Sequence, residues 1–146
     1  MMFKQIPVYL IILLSLGCTH STTYINRDAD KNDAVRITEK FYDLMKQKDY
    51  HNIFPLCSMG DRGFTVEHRN QLLTEHFNNI QERLGSIVSV DLISCETKRV
   101  EGQRPSGEYI VTFDVTRSIK QSNREVFRLL LEGTEIKIAD YNINKT

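Results

Sequence analysis

The side chains able to do chemistry in this 146-residue chain are few and far apart. Cysteine occurs three times, as Cys18, Cys57 and Cys95, and two of the four histidines, His68 and His76, share one helical stretch. Two imidazoles that ligate one metal from a helix stand three or four residues apart. His68 and His76 stand eight apart, no carboxylate completes a set, and so no metal and no cofactor is assigned. Ser-His-Asp, Cys-His, paired-carboxylate and glycine-rich phosphate-binding arrangements do not occur as recognisable motifs. Asp140, on the last apolar stretch, draws notice through the strand register set out below, with Tyr109 and Tyr42 as candidate neighbours. A carboxyl pointed into an apolar interior is desolvated and its pKa rises, which is how a general acid is poised.

Cys18 closes the run LIILLSLGC, residues 10–18. The apolar segment 6–16 is about half the roughly 20 residues that a membrane-crossing helix needs. Lys4 precedes it and the small Gly17 follows, the pattern of a cleaved leader. Ser15, Leu16, Gly17 and Cys18 resemble a bacterial lipobox. Gly17 and Cys18 fit, whereas Ser15 stands where that family prefers Leu. The resemblance implies a lipoprotein signal peptide over 1–17 and a palmitate-type lipid on Cys18, the first residue of the mature chain. Each buried methylene contributes about 0.8 kcal/mol, so two or more acyl chains make a lasting anchor. Thr19, in place of Asp, points to the outer membrane and a periplasm-facing location in the cell envelope. The alternative is an ordinary cleaved leader with Cys18 unmodified.

Lys plus Arg and Asp plus Glu number 19 each, and loss of 1–17 removes only Lys4. A near-neutral chain has no long-range field that would steer it to nucleic acid. In an exported compartment Cys57 and Cys95 can form a disulfide. That bridge would close a loop of about 40 residues and contribute about 4 kcal/mol. Two buried thiols are the alternative, and spacing alone does not choose.

The elements that must position these residues follow from periodicity. Residues 18–31 are polar without a period and read as a flexible tether; residues 32–146 then make a single domain. Helical spacing runs from Asn32 through Ala34, Ile37, Phe41, Leu44 and Met45. A short second helix over 50–57 is interrupted by Pro55. A third starts at Thr65 and stops at Gly85, with Val66, Leu73, Phe77, Ile80 and Leu84 as its stripe. From Ser86 the period drops to two, giving strands near 86–100, 107–118, 124–132 and 135–143. Gly133 and Thr134 form a two-residue loop with glycine first, as a type II′ hairpin requires. Short connections make the strands an antiparallel meander.

A reversal centred on Gln121 sets Phe113 opposite Leu129, and the II′ turn sets Leu129 opposite Ile138. One apolar face then runs through Tyr109, Val111, Phe113, Leu129, Leu131, Ile136 and Ile138, and the helices must cover it. Strict alternation past Ile138 points Asp140 inward, opposite Phe127. The switch in pattern there favours a bulge that turns Asp140 outward and brings Tyr141 and Ile143 in.

Three helices before a four-stranded antiparallel sheet are an α+β arrangement that resembles the nuclear transport factor 2-like superfamily, a cone-shaped fold. The shared features are Leu84 and Gly85 before the sheet, Gly107, Glu108 and Tyr109 in a strand, and Tyr141 in the last one. They are packing and turn residues and carry no catalytic signature. Enzymes of that superfamily, such as ketosteroid isomerases, place Asp, Tyr or His inside the cone, which is what makes Asp140, Tyr109 and Tyr42 the weak catalytic candidates. On the far face Val90, Leu92, Thr116, Val126, Leu130 and Tyr141 fall together, an apolar surface suited to a partner protein or a homodimer. The reading is therefore a non-catalytic interaction or ligand-binding module of an envelope lipoprotein, with its small-molecule ligand unnamed. The alternatives are an isomerase-like enzyme and an immunity lipoprotein that neutralises a toxin.

Overall fold

The computed structural model describes residues 20–60, 63–120 and 122–144. Cys18 and the leader lie outside the described residues. Strand β1 (Thr22–Ile25) leads into helix α1 (Asp28–Gln47) and the single turn α2 (Tyr50–Ile53), which passes into a 3-10 turn, Phe54–Leu56. Helix α3 (Val66–Leu84) is followed by β2 (Ile87–Glu101), β3 (Ser106–Arg117), β4 (Asn123–Glu132) and β5 (Glu135–Asn144). The strands form one antiparallel sheet in the order β1-β2-β3-β4-β5.

The sheet has five strands where the sequence pattern indicates four. The extra one comes from the stretch expected to be a tether, where Thr22 pairs with Glu101 and Ile25 with Lys98. Asn26 fastens it: its N–H donates to the Thr97 carbonyl at 2.8 Å and its Oδ1 accepts from the Thr97 amide at 2.9 Å. β1 is an edge strand with little burial, so its side chains carry no alternation to read. Helix α1 accordingly starts at Asp28 rather than Asn32. Asp28 and Asp30 occupy its first turn, where the helix dipole favours negative charge, and Arg27 grips Asp30 at 2.8 Å.

The helices otherwise form where spacing and caps place them. Ala34, Phe41 and Met45 of α1 are buried, as are Phe77 and Ile80 of α3. Thr65 caps α3 by accepting from the His68 amide at 3.2 Å. Gly85 ends it at φ 82, and a Cβ there would stand 2.1 Å from Ser118 Oγ, so only glycine fits. Pro55 sits at the start of the 3-10 turn, where a missing N–H costs no internal bond.

The β4–β5 hairpin has the expected register, with Leu129 opposite Ile138 and Leu131 opposite Ile136, around Gly133 at φ 61. The β3–β4 hairpin is four residues away from expectation: Phe113 faces Glu125 and Tyr109 faces Leu129. The reversal closes early, with Arg117 N–H on the Lys120 carbonyl at 3.1 Å. Ile119 N–H is meanwhile held on the Leu84 carbonyl at 3.1 Å, at the end of α3. Because four is an even slip, every side chain keeps its face. Tyr109, Val111, Phe113, Phe127, Leu129 and Ile138 are all buried against the helices. Phe41 stands at the centre, with ring centroids 5.6 Å from Phe77, 5.1 Å from Phe127 and 5.1 Å from Tyr141.

Candidate functional site

The site is set by an irregularity in β5. The ladder skips at Ala139, so Leu129 faces Ile138 while Arg128 faces Asp140 and Phe127 faces Tyr141. This bulge turns Asp140 out to solvent and brings Tyr141 onto the core face, stacked on Phe127 at 4.7 Å. Asp140 accepts from the Tyr141 amide at 2.9 Å and from Asn142 Nδ2 at 2.7 Å, a local arrangement that stabilises the bulge itself.

Behind Tyr141 lies a polar cluster on the core side of the sheet, which the sequence reading did not pick out. Arg117 and Glu125 are both fully buried and paired at 2.8 Å. Glu125 also accepts from Tyr42 Oη at 3.0 Å and from Tyr141 Oη, while Arg117 donates to Tyr141 Oη at 3.2 Å and to the Gly85 carbonyl at 3.4 Å. Burial, reinforced by the Glu125 charge, pushes the Tyr42 and Tyr141 phenols well above the ordinary tyrosine range, so both hold their protons. Charge, donors and acceptors are matched among these four side chains. Such a cluster fixes shape rather than reacting, and what it fixes is the Tyr141 ring. The sequence did contain the signal: Arg117 continues the inward series Tyr109, Val111, Phe113, Val115, and Glu125 continues Phe127, Leu129.

In front of Tyr141 opens a cleft of about 350 Å³ between α3, the segment after the 3-10 turn and the β5 bulge. Its walls are mostly apolar, with Phe41, Met59, Phe64, Leu72, Leu73 and Phe77 among them. The segment after the 3-10 turn is tied down from both sides. Ser58 N–H donates to the Ile138 carbonyl at 2.8 Å, and Arg69 on α3 reaches the Phe54 carbonyl at 3.4 Å and Met59 Sδ at 2.7 Å. Met59, Phe64 and Leu72 keep about half of their surface exposed around the opening. Cys57 also lines the cleft, but burial pushes its thiol up to about 11, leaving it protonated and a poor nucleophile near neutrality.

The remaining candidates are dispersed. Tyr109 is buried at the other end of the sheet, with Arg99 donating to its Oη at 3.5 Å, beneath Gly107, where a Cβ would come within 2.6 Å of that oxygen. Tyr42 is held by Glu125, and Asp140, turned out of the core, lies exposed on the wall of the cleft, so the three weak catalytic candidates do not converge. Cys57 and Cys95 are both free thiols and form no disulfide, Cys57 in the cleft and Cys95 on β2 beneath α1 near the Lys31 carbonyl. The apolar outer face is smaller than alternation suggests. Thr116, Val126 and Leu130 lie on it, but Tyr141 is turned inward and Val90 packs against the core. Leu92 shares the core face with its partner Phe113 and borders a crevice along α1. The cause is the same in each case: β2 skips at Val88 and at Ile93, as β5 does at Ala139, and each skip reverses the alternation. Among the described residues no helix is long and apolar enough to cross a membrane, and no cluster of three His, Cys, Asp or Glu side chains is placed to hold a metal ion.

Comparison of the chain with family models, with curated protein sequences and with solved structures finds no match.

Proposed function

We propose that the protein is a lipid-anchored envelope lipoprotein whose domain, a nuclear transport factor 2-like cone, is a non-catalytic module that binds an apolar ligand or side chain in the cleft in front of Tyr141. The observation that carries this reading is the cleft itself: apolar walls are held open by a tethered segment on one side and by a ring locked in a buried charge network on the other. A preformed concave site of this size, within the range of about 300–1,000 Å³ usual for ligand pockets, costs little to occupy. Cys57, His76 and Asp140 also line it, with no hydrogen bond joining any two of them, and burial keeps the thiol protonated.

Titration with the neutral dye Nile red, using the chain from Thr19 onward, tests the site. Leu72→Glu places a charge at the opening of the cleft and is expected to weaken dye binding at least tenfold with the unfolding midpoint unchanged. Val126→Glu, on the outer sheet face, is expected to leave binding intact. The reverse ranking would move the binding surface to the outer face. The anchor is tested separately by growing cells with a labelled fatty acid: label on the wild type and none on Cys18→Ser is expected, and label retained by the variant refutes it.

A further inference from the structure

The N-terminal end of the fold is tied down over its whole described length. A free tether over residues 18–31 would let the domain wander over about 20 Å. The chain is instead built into the sheet from His20 onward. Gly102, at φ 146 in the β2–β3 turn, lies so close to the incoming chain that a Cβ there would stand 2.9 Å from the His20 carbonyl oxygen and 3.1 Å from Ser21 Cα. β1 then pairs with β2 along its four residues, and Asn26 at its end is bonded to Thr97. Arg27 closes the joint: its guanidinium stacks on the Tyr24 ring at 4.1 Å and reaches Asp30 of α1 at 2.8 Å and Glu101 of β2 at 2.9 Å. A strand paired throughout and clamped at both ends has no freedom to swing.

The link to the lipid is therefore short. His20 is two residues from Cys18, and a chain advances at most about 3.6 Å per residue, so the anchored residue stays within about 7 Å of His20. The meander gives the sheet two ends. The β2–β3 and β4–β5 turns share the end beside His20, while the β3–β4 turn, bonded to the end of α3 through Ile119 and Leu84, lies at the other. The twelve residues of β3 hold these ends roughly 35 Å apart.

We infer that the domain is seated on the membrane and not suspended from it: the lipid on Cys18 sets the β2–β3 turn against the phospholipid head groups and points the β3–β4 turn away. This placement rests on the lipid anchor proposed above and adds the surface that the anchor brings to the bilayer. That surface is polar. His20, Ser21, Gln103, Arg104 and Pro105 are exposed and offer no large apolar side chain to sink into hydrocarbon. Glu101 beside the turn is neutralised by Arg27 and, at 3.4 Å, by Arg99, whereas the β4–β5 turn carries Glu132 and Glu135, so an anionic surface favours contact at the β2–β3 turn. The apolar cleft, on β5, then opens at the sheet edge opposite the anchored one, clear of the acyl chains.

The test uses the lipid-bearing protein, labelled with nitrogen-15, in nanodiscs of phosphatidylcholine and phosphatidylglycerol, with and without a lipid whose head group carries a gadolinium chelate. The paramagnetic ion broadens amide NMR signals close to the head groups. Broadening at Gly102 and Gln103 at least threefold greater than at Gly85 and Ile119 is expected. A Gly-Ser spacer of about 20 residues inserted between Thr19 and His20, spanning about 25 Å, is expected to even the two ends out. Equal broadening at both ends of the wild-type chain, greater broadening at Gly85 and Ile119, or a contrast that the spacer leaves unchanged overturns the placement. The intact mass of the same sample reads the lipid. A chain without lipid refutes the anchor and the placement with it, whereas a lipid-bearing chain without the contrast refutes the placement alone.

Discussion

At the scale of single residues, the account rests on four side chains around Glu125. Removing one member of a fully buried ion pair leaves the other charge desolvated, a loss of about 3–5 kcal/mol, whereas replacing both with apolar groups is close to neutral. Glu125→Leu is therefore expected to lower stability by about 3–5 kcal/mol, and the double variant Glu125→Leu with Arg117→Met to recover most of that, as measured by urea denaturation. Equal losses from the single and double changes would contradict the pairing. The raised Tyr42 phenol sets a sign for pH dependence. The folded chain keeps this proton above pH 10, where the unfolded chain releases it. The stability it contributes is complete below about pH 10 and declines as pH rises further, by about 1.4 kcal/mol per pH unit. Tyr42→Phe should lessen the fall in stability between pH 10 and 11 by up to about 1.4 kcal/mol per pH unit, leaving the share that the likewise raised Tyr141 contributes; an unchanged slope would refute it. These residues were legible in position but not in role. Period-two alternation places Arg117 and Glu125 on the core face, but charges at two inward positions read as errors of pattern until both are seen to fall on one face beside two tyrosines.

At the scale of elements, the irregular places decide the outcome. The Thr65 and Gly85 ends of α3, the glycine-first hairpin and the core face were readable, because each is a local rule or a rule of parity; the start of α1 was not, since Asn32 lies inside the helix and Arg27 holds the N-cap position without a side-chain bond. A four-residue error in the β3–β4 reversal left every face correct, and the bulge that turns Asp140 outward was visible as a break in alternation. The β2 skips at Val88 and Ile93 were not, since Val88, Leu92 and Ile93 are all apolar and all exposed, and hydrophobicity alone does not say which way they face. β1 was hidden for a different reason: an edge strand of four residues is held by backbone pairing and by Asn26, neither of which shows in side-chain pattern. Asn26→Ala should cost about 1–2 kcal/mol and speed hydrogen exchange at the Thr97 amide, because it removes that amide's acceptor and puts alanine, which tolerates the left-handed region less well than asparagine, at φ 53. Exchange at Thr97 equal to wild type would mean that β1 is not fastened there. Gly85→Ala at φ 82, against Ser118 and the Ile119 backbone, should lower stability, measured by urea denaturation, by more than the roughly 1 kcal/mol usual for such a site, and a neutral result would contradict the close joint between α3 and β3.

At the scale of the molecule, a near-neutral α+β domain with five strands carries an apolar cleft in front of one locked tyrosine, behind a sequence that resembles a lipoprotein leader. The apolar cleft was not legible in advance. It is bounded by residues from α1, the segment after the 3-10 turn, α3 and β5, which meet only once the bulge has placed Tyr141. Native mass spectrometry of the full-length protein, extracted from cell envelopes with its anchor intact, reads the lipid and the occupant of the cleft together. The account expects a chain beginning at a lipid-bearing Cys18 that carries a further non-covalent adduct, lost in Leu72→Glu and retained in Val126→Glu. A wild-type chain without any adduct, or an adduct that survives Leu72→Glu, would contradict it.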